Sequence, residues 1–224
     1  MFLTRLQLDP GRPGTRRLLA SPRTVHGAVV KAFDGREMVV AGQGRVLWRL
    51  DQASGNKLYL YVVSPTEPDL SHVASDAGWP EHPVQTRDYA PLLDRLEKGQ
   101  TWNFRLAANP VRSVRTDDKQ TTTKRTAQLT VAGQTKWLLE RQERLGFEVV
   151  QTTRDHELMV HNRRGLWFDK RERATGERNR VPLYSVTYDG RLRITDPEAL
   201  RSALVSGVGK GKAYGCGLLT LAPA

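Results

Sequence analysis

Strand and helix signals come in the same order twice along this chain, and that repetition limits the fold more than any single motif does. Residues 2–8 (FLTRLQL) set Phe2, Thr4, Leu6 and Leu8 against Leu3, Arg5 and Gln7, the period of two of a half-buried strand. A basic, glycine-containing stretch, GRPGTRRLLA, reads as a loop. Ser21 and Pro22 then fit an N-cap and a first helical position. Val25, Ala28, Val29, Ala32 and Phe33 recur at helical spacing until Asp34-Gly35. RVLWRL (45–50) and KLYLYVV (57–63) read as strands joined by an SGN turn. A short helix over 69–77 and an extended segment over 84–90 complete a β-α-β-β-α-β order.

The second half repeats it. TWNFRLAANP is a strand that ends at Pro110, and the polar stretch 115–126 predicts a mobile loop. Trp137, Leu138, Arg141 and Leu145 lie at helical spacing before Gly146, a natural stop. Strands follow near 147–151, 157–161 and 165–170. VPLYSVTYDGRLRIT carries Asp189-Gly190, a type I′ turn signal, and predicts a hairpin there. Asp196-Pro197-Glu198 opens a helix with Leu200, Ala203 and Leu204 on its core face, and GCGLLTLA closes as a strand. The chain therefore predicts an α+β protein of two tandem ferredoxin-like domains, residues 1–92 and 98–224, the architecture shared by RNA-recognition domains. Neither half has the aromatic motif that stacks bases on such a sheet, so any RNA would meet loops and a basic face.

Charge points the same way. The net charge is +11, of which residues 1–97 carry +1 and residues 98–224 carry +10. Excess confined to one half suggests a dedicated polyanion surface. No apolar run has the length of a membrane span, and MFLTRLQLDPGRPG breaks before a signal-peptide core could form. Cys216 stands alone, so no intrachain disulfide or cysteine zinc site can form, and a cytoplasmic protein without membrane contact is expected.

Of the five histidines, His26 lies on a predicted helix outside its clearest apolar stripes, with Arg23 and Lys31 along the same segment, whereas His72 and His82 have loop-like surroundings and His156 and His161 flank a short strand. No histidine pair has helical metal spacing, so no metal and no cofactor is expected. Basic residues gather at Arg12, Arg16 and Arg17, at Lys124-Arg125, and most densely at Lys170, Arg171, Arg173, Arg178 and Arg180, around a predicted hairpin tip shaped to track RNA phosphates. The end of the chain, GVGKGKAYGCGLLTLAPA, interleaves Gly207, Gly209 and Gly211 with Lys210 and Lys212. Glycines admit close backbone approach, and lysines between them suit a phosphate chain.

This ending, with FLTRLQLDP, SPRTVHGAVVKAF, VLWRLD, WNFRLAANPVRSV, the later KRT and KWLLERQERLGFEV, resembles the CasE-type CRISPR repeat-processing endoribonucleases from end to end. The R-x-x-ANP segment and the glycine-rich tail, in this order, carry the likeness. The resemblance implies a type I-E system, in which the protein cuts precursor RNA at the base of the repeat stem-loop without a metal. It also implies that the protein, a monomer when isolated, keeps the mature crRNA and joins the other Cascade subunits. His26 falls on the family's active-site histidine and Lys31 on a lysine near it. Arg23 stands where many members have a tyrosine, and is expected to contact the phosphate in its place. Lys124, Arg125, the hairpin cations and Gly207–Lys212 are expected to hold RNA. Metal-free cutting needs only that the RNA's 2′-hydroxyl attack the adjacent phosphate, leaving a 2′,3′-cyclic phosphate and a 5′-hydroxyl. The competing reading is a non-catalytic RNA-binding scaffold of the same fold.

Overall fold

The structure, a computed structural model, describes residues 1–33, 38–40, 44–115, 123–171 and 178–224, and for residues 39, 115, 123, 168–171 and 178–181 the backbone alone. The first half runs β1 (Phe2–Leu8), α1 (Pro13–Leu19), α2 (Pro22–Lys31), β2 (Val39–Val40), β3 (Gly44–Arg45), β4 (Leu47–Ala53), β5 (Lys57–Ser64), α3 (Ser71–Ala77), β6 (Gln85–Asp88) and α4 (Ala90–Asp94). Its main sheet is antiparallel in the order β4-β5-β1-β6. The alternation in β1 decides the layers. Thr4, Leu6 and Leu8 are buried with Val25, Val29 and Phe33 of the α2 segment beneath them, while Leu3 faces the other way and packs on the core of the second half. The turn between β4 and β5 takes positive φ at both Gly55 (68°) and Asn56 (56°), as a tight hairpin requires.

The segment after β1, expected to be a loop, is instead α1. Thr15 donates its hydroxyl to the Ala77 carbonyl at 2.9 Å, and a Cβ on Gly14 would lie 2.1 Å from the Asp76 carbonyl oxygen. Packing against α3 holds the turn, a tertiary effect with no signature in local periodicity.

The second half runs β7 (Thr101–Ala108), β8 (Val111–Arg115), β9 (Thr123–Ala127), α5 (Val131–Leu139), a 3₁₀ turn (Glu143–Leu145), β10 (Phe147–Val149), β11 (Leu158–Arg171), β12 (Arg178–Ile194), α6 (Pro197–Ser206), a second 3₁₀ turn (Lys212–Tyr214) and β13 (Leu219–Pro223). The sheet order is β10-β12-β7-β13, with β11 also paired to β12. All of these pairings are antiparallel. The helix expected over 133–145 is divided into α5 and the 3₁₀ turn, and Gly146 stops it in the left-handed region at φ 77°.

Two expectations fail here for clear reasons. The polar stretch 115–126 is not simply a loop, because residues 123–127 form β9 and pair with β8, Val114 opposite Lys124. The Asp189-Gly190 pair makes no turn either: β12 runs straight through it and neither residue has positive φ. Asp189 is instead opposite Arg105 on β7 and receives its Nε and Nη2 at 2.7 and 2.6 Å. A Cβ on Gly190 would come 2.3 Å from the Glu157 carbonyl oxygen, so the glycine answers a close crossing and not a bend. The long hairpin is β11–β12, bulged after His161, where Asn162 takes φ 49°.

The halves meet through a buried ion pair. On β4, Trp48 faces the first core while Leu47 packs on the second. Arg49, 2% exposed, grips Asp51 through Nε and Nη2 at 2.7 and 2.8 Å. It also donates to the Arg105 and Leu218 carbonyls, each at 3.0 Å, and to Thr220 Oγ1 at 2.9 Å. Arg105 continues the chain of charges, 3.7 Å from Asp51 and paired to Asp189, which His161 Nε2 meets at 2.9 Å. Burial alone would raise the Asp189 pKa; the Arg105 and His161 contacts outweigh it and hold the carboxyl below its usual range.

Removing one member of a buried pair leaves the other charge unpaired, at a cost of about 3–5 kcal/mol. Arg49→Ala should therefore lower the urea unfolding midpoint sharply, and the double variant Arg49→Met/Asp51→Leu should lie closer to wild type. A double variant as unstable as Arg49→Ala would show that the carbonyl contacts, not the charge pair, carry the effect.

Candidate functional site

The site begins at the N-terminus of α2. Ser21 has extended backbone, φ −159° and ψ 153°, and its hydroxyl accepts the Thr24 N–H at 3.2 Å. Pro22 follows, with no N–H left to satisfy. Val25 and Val29 anchor the buried face. His26, next to that face, is half-buried, and its Nδ1 is buried with no hydrogen-bond partner. Burial, and then the Arg45 guanidinium, push its pKa below the usual histidine value. Near neutrality His26 is thus a neutral imidazole with one ring nitrogen able to accept a proton.

The glycine-rich end supplies the opposite wall, where α2 packs against the 3₁₀ turn Lys212–Tyr214. Lys212 is half-buried and donates Nζ to the Gly209 carbonyl at 3.0 Å. Burial lowers its pKa, and the positive charges of Arg45 and Lys210 lower it further. Arg45 thus acts on both His26 and Lys212, and Lys210 acts on Lys212, so a field of cations runs from the histidine towards the glycine-rich loop. Such a field suits a phosphate and the charge that builds on it during cleavage.

Gly207, Gly209 and Gly211 all take positive φ, and the loop follows the edge strand β4. Gly215, at φ 79°, has no room for a side chain, since a Cβ would sit 2.6 Å from the Trp48 ring. A Cβ on Gly207 would lie 2.7 Å from a Leu47 methyl. The Gly217 N–H donates to the Ala107 carbonyl at 2.6 Å, which ties the loop's end to β7. The close approach these glycines permit is thus made first to the protein's own core.

The other expected site residues fall in different places. Arg23, exposed, precedes His26 by three residues and projects from a neighbouring part of the helix surface. Lys31 is exposed at the end of α2; five residues at about 100° each turn it well away from His26. Lys124 and Arg125 are exposed neighbours on β9, and Arg125 shares a cavity with Lys210 and Lys212. The backbones of Lys170, Arg171, Arg178 and Arg180 lie in the last rungs of the β11–β12 hairpin, Arg171 opposite Arg178, while their side chains and all of Arg173 lie outside the described residues. Cys216 is buried, and burial pushes its thiol up to about 12, which leaves it a packing residue.

Sequence reasoning missed Arg45. Its Nε is buried without a partner beside His26, yet nothing in GQGRVLWRL separates it from the chain's other arginines. A second cavity of about 290 Å³ lies at the start of α2, where Ser21, Pro22 and Val25 meet Arg164 of β11 and Tyr214. No helix among the described residues is long and apolar enough to cross a membrane.

Residues 1–223 match the family model described as CRISPR associated protein. The chain is 34% identical over 226 residues, 100% of each protein, to the CRISPR-associated endoribonuclease Cse3 of Thermus thermophilus. It is 30% identical over 135 residues, 58% of this chain and 61% of the relative, to the CRISPR system Cascade subunit CasE of Escherichia coli. Among solved structures it is similar to the CRISPR endoribonuclease Cse3 bound to a 19-nucleotide RNA, with a TM-score of 0.80 and 34% identity over 100% of both chains. With a matching order of elements from β1 to the glycine-rich loop and β13, the chain belongs to the CRISPR-associated protein family, in its CasE type.

Proposed function

We propose that this protein is the endoribonuclease that cuts CRISPR precursor RNA at the base of the repeat stem-loop, and that it works in the cytoplasm. The observation that carries the reading is His26: half-buried, neutral near pH 7, and beside Arg45, whose charge also acts on Lys212, in a chain whose full-length relative is an endoribonuclease. The two halves, 1–92 and 98–224, are read as tandem ferredoxin-like units. The order β6-β1-β5-β4 is fourth-first-third-second along the first unit, and β13-β7-β12-β11 repeats it in the second.

In this reading the RNA's own 2′-hydroxyl attacks the neighbouring phosphorus. His26 takes the hydroxyl proton, the bond from phosphorus to the 5′-oxygen breaks, that oxygen takes a proton from water, and the products are a 2′,3′-cyclic phosphate and a 5′-hydroxyl. No metal is required, since arginine and lysine meet the charge that grows on the phosphorane. Arg45 and Lys212 are the cations best supported for that task, with Arg23 one helical turn before His26 as a further phosphate contact. Lys31, turned away from His26, is assigned to the RNA backbone. The β11–β12 hairpin, with Lys170, Arg171, Arg173, Arg178 and Arg180, tracks the stem. A lone histidine supplies moderate acid–base help, so much of the rate comes from holding the nucleotides in line. Retention of the mature crRNA and assembly with other Cascade subunits follow the CasE relative.

The deciding experiment incubates the protein with its repeat RNA in excess EDTA, beside His26→Ala and an RNA with a 2′-deoxy sugar at the scissile position. Wild type should cut and leave a cyclic phosphate, the deoxy substrate should stay whole, and His26→Ala should lose about 10²–10⁴-fold in single-turnover rate. Tight binding of intact RNA by wild type would establish the scaffold reading instead.

The lowered pKa of His26 gives that rate a direction. A base is competent once deprotonated, so the rate should hold from neutral to mildly alkaline pH. It should fall only in acid, about tenfold per pH unit below the depressed pKa. A rate that declines as pH rises through neutrality would make His26 the proton donor. Stability follows the same proton. The folded state binds it less readily than the unfolded chain, so the contribution of His26 is present above the unfolded pKa and is lost as pH falls. His26→Gln should flatten that part of the stability profile.

The loop that carries Lys212 can be tested by itself. Gly215→Ala forces a non-glycine residue into φ 79° against Trp48. It should cost about 1–3 kcal/mol in unfolding experiments and slow cleavage more than it weakens RNA binding. Wild-type melting and cleavage in this variant would remove the Gly215–Trp48 contact from the account.

A further inference from the structure

One feature of the basic half is left unused by the scissile site and the stem-binding hairpin. A groove of about 540 Å³ is lined by Gly207–Lys210 and by Lys212, the first residue of the turn that packs against α2. Its other walls are β8 and β9, α5 with the 3₁₀ turn after it, and α6. Of the described residues, six cations line it, Arg112, Arg125, Arg141, Arg144, Lys210 and Lys212, and no carboxylate does. Among the described residues Arg112, Arg125, Arg144 and Lys210 make no ion pair, and Arg141 has only a 3.9 Å contact with Glu140.

The groove is built, not merely basic. The Arg141 guanidinium lies 4.5 Å over the Trp137 ring, and its Nη1 donates to the Trp137 carbonyl at 2.7 Å. Trp137 stacks on buried Tyr188 at 6.1 Å, and the Tyr188 hydroxyl donates to the Gln134 carbonyl at 2.8 Å. Arg141 is therefore held in one orientation with Arg144 close enough that their charges repel. Cations gathered without a counter-charge destabilise the free protein and bind a polyanion well.

We propose that this groove holds, by its phosphates, the single-stranded RNA that adjoins the scissile position, while the stem is held on the β11–β12 side. The inference rests on the endoribonuclease reading above. Continuity assigns the ligand: Lys212 lines the groove, the turn it begins packs against the helix of His26, and Arg45 acts on both residues, so a strand that leaves the scissile phosphate past Arg45 and Lys212 enters the groove directly. Size assigns the strandedness. The volume falls in the range of about 300–1,000 Å³ of sites that take small ligands, whereas a duplex is gripped across broad groove faces. The serines in its lining can meet phosphate oxygens or 2′-hydroxyls.

Fluorescence anisotropy on two RNAs tests this, each with a 2′-deoxy sugar at the scissile position: the bare repeat hairpin, and the same hairpin with single-stranded flanks on both sides. Wild type should bind the flanked RNA more tightly. Arg112→Ala/Arg144→Ala changes two exposed side chains and should keep the wild-type melting temperature and bare-hairpin affinity. It should lose about tenfold on the flanked RNA at moderate salt and make the log–log salt slope shallower by about 1.4, two single-strand phosphate contacts. Arg112→Lys/Arg144→Lys, which keeps the charges, should recover most of the loss. Equal losses on both RNAs would assign the groove to the stem, and no loss on either would take RNA out of it; each result overturns the proposal. If wild type fails to bind even the bare hairpin, the endoribonuclease reading itself falls, and that measurement does not involve the groove.

Discussion

The buried Arg49–Asp51 pair is the constraint on which the rest of the arrangement depends. Three consecutive residues of the edge strand β4 meet the glycine-rich loop at three points. Leu47 lies against Gly207, Trp48 lies against Gly215, and Arg49 donates to the Leu218 carbonyl at 3.0 Å. Because side chains alternate along a strand, Leu47 and Trp48 point to opposite faces, so the loop has to wrap the sheet edge. Only residues without side chains can turn that closely around a tryptophan and a leucine. The loop thus caps an edge strand and at the same time delivers Lys212 to α2. Arg49 fixes its far end by holding Leu218, Thr220 and Arg105 together. An ion pair this deep contributes little net stability relative to an apolar pair of the same shape, because both charges lose their water. What it supplies is position: the guanidinium offers donors in a fixed plane, and five acceptors from both halves are arranged around them.

The electrostatics of the site follow from that placement. A histidine half-buried beside Arg45 gives up its proton more easily, and a lysine beside Arg45 and Lys210 does the same. Each of these groups is held at a cost to the free protein, and each shift reverses once a phosphate enters. The anion favours protonated Lys212 and draws Arg45 onto itself. The site is consequently strained by like charges when empty and relaxed when full, which is the sense of charge a polyanion site needs. The same holds in the groove beyond Lys212, where the charges of Arg141 and Arg144 repel each other.

Much of this was legible in the chain, for identifiable reasons. Periodicity found β1, β4, β5, β7, the capped helices α2 and α6, and the signal of Ser21-Pro22, since each of these is decided within its own segment. It singled out His26 because that residue avoids the apolar stripe of α2. It misplaced what is decided by a partner. Helix α1 forms because Thr15 and Gly14 meet α3, and Asp189-Gly190 stays extended because Arg105 and the Glu157 carbonyl occupy its two faces. The same blindness hid Arg45 and Arg141, whose importance lies in what surrounds them: an unpaired imidazole in one case, a tryptophan ring in the other. The glycine run was conspicuous in sequence, but its contacts with Leu47 and Trp48 require the fold to be seen.

One consequence joins these points. His26 and Arg45 belong to the first half, which carries almost no net charge, whereas Lys210, Lys212 and the groove belong to the strongly basic second half. Any reaction at His26 therefore takes its proton chemistry from one unit and shares its cations between the two, Arg45 from the first and Lys212 from the second. In-line attack tolerates little misplacement of the reacting atoms, and a shift of about 1 Å between the units would cost about a hundredfold in rate. The contacts that set this distance are not in the site. They are the Arg49 bonds to Arg105, Leu218 and Thr220, and the packing of Leu47, Val63 and Leu3 on the second core. On the proposed function, a substitution there that leaves both halves folded but loosens their junction would impair cleavage more than RNA binding. The precision of the site is for that reason a property of the interface between the halves as much as of the residues that touch RNA.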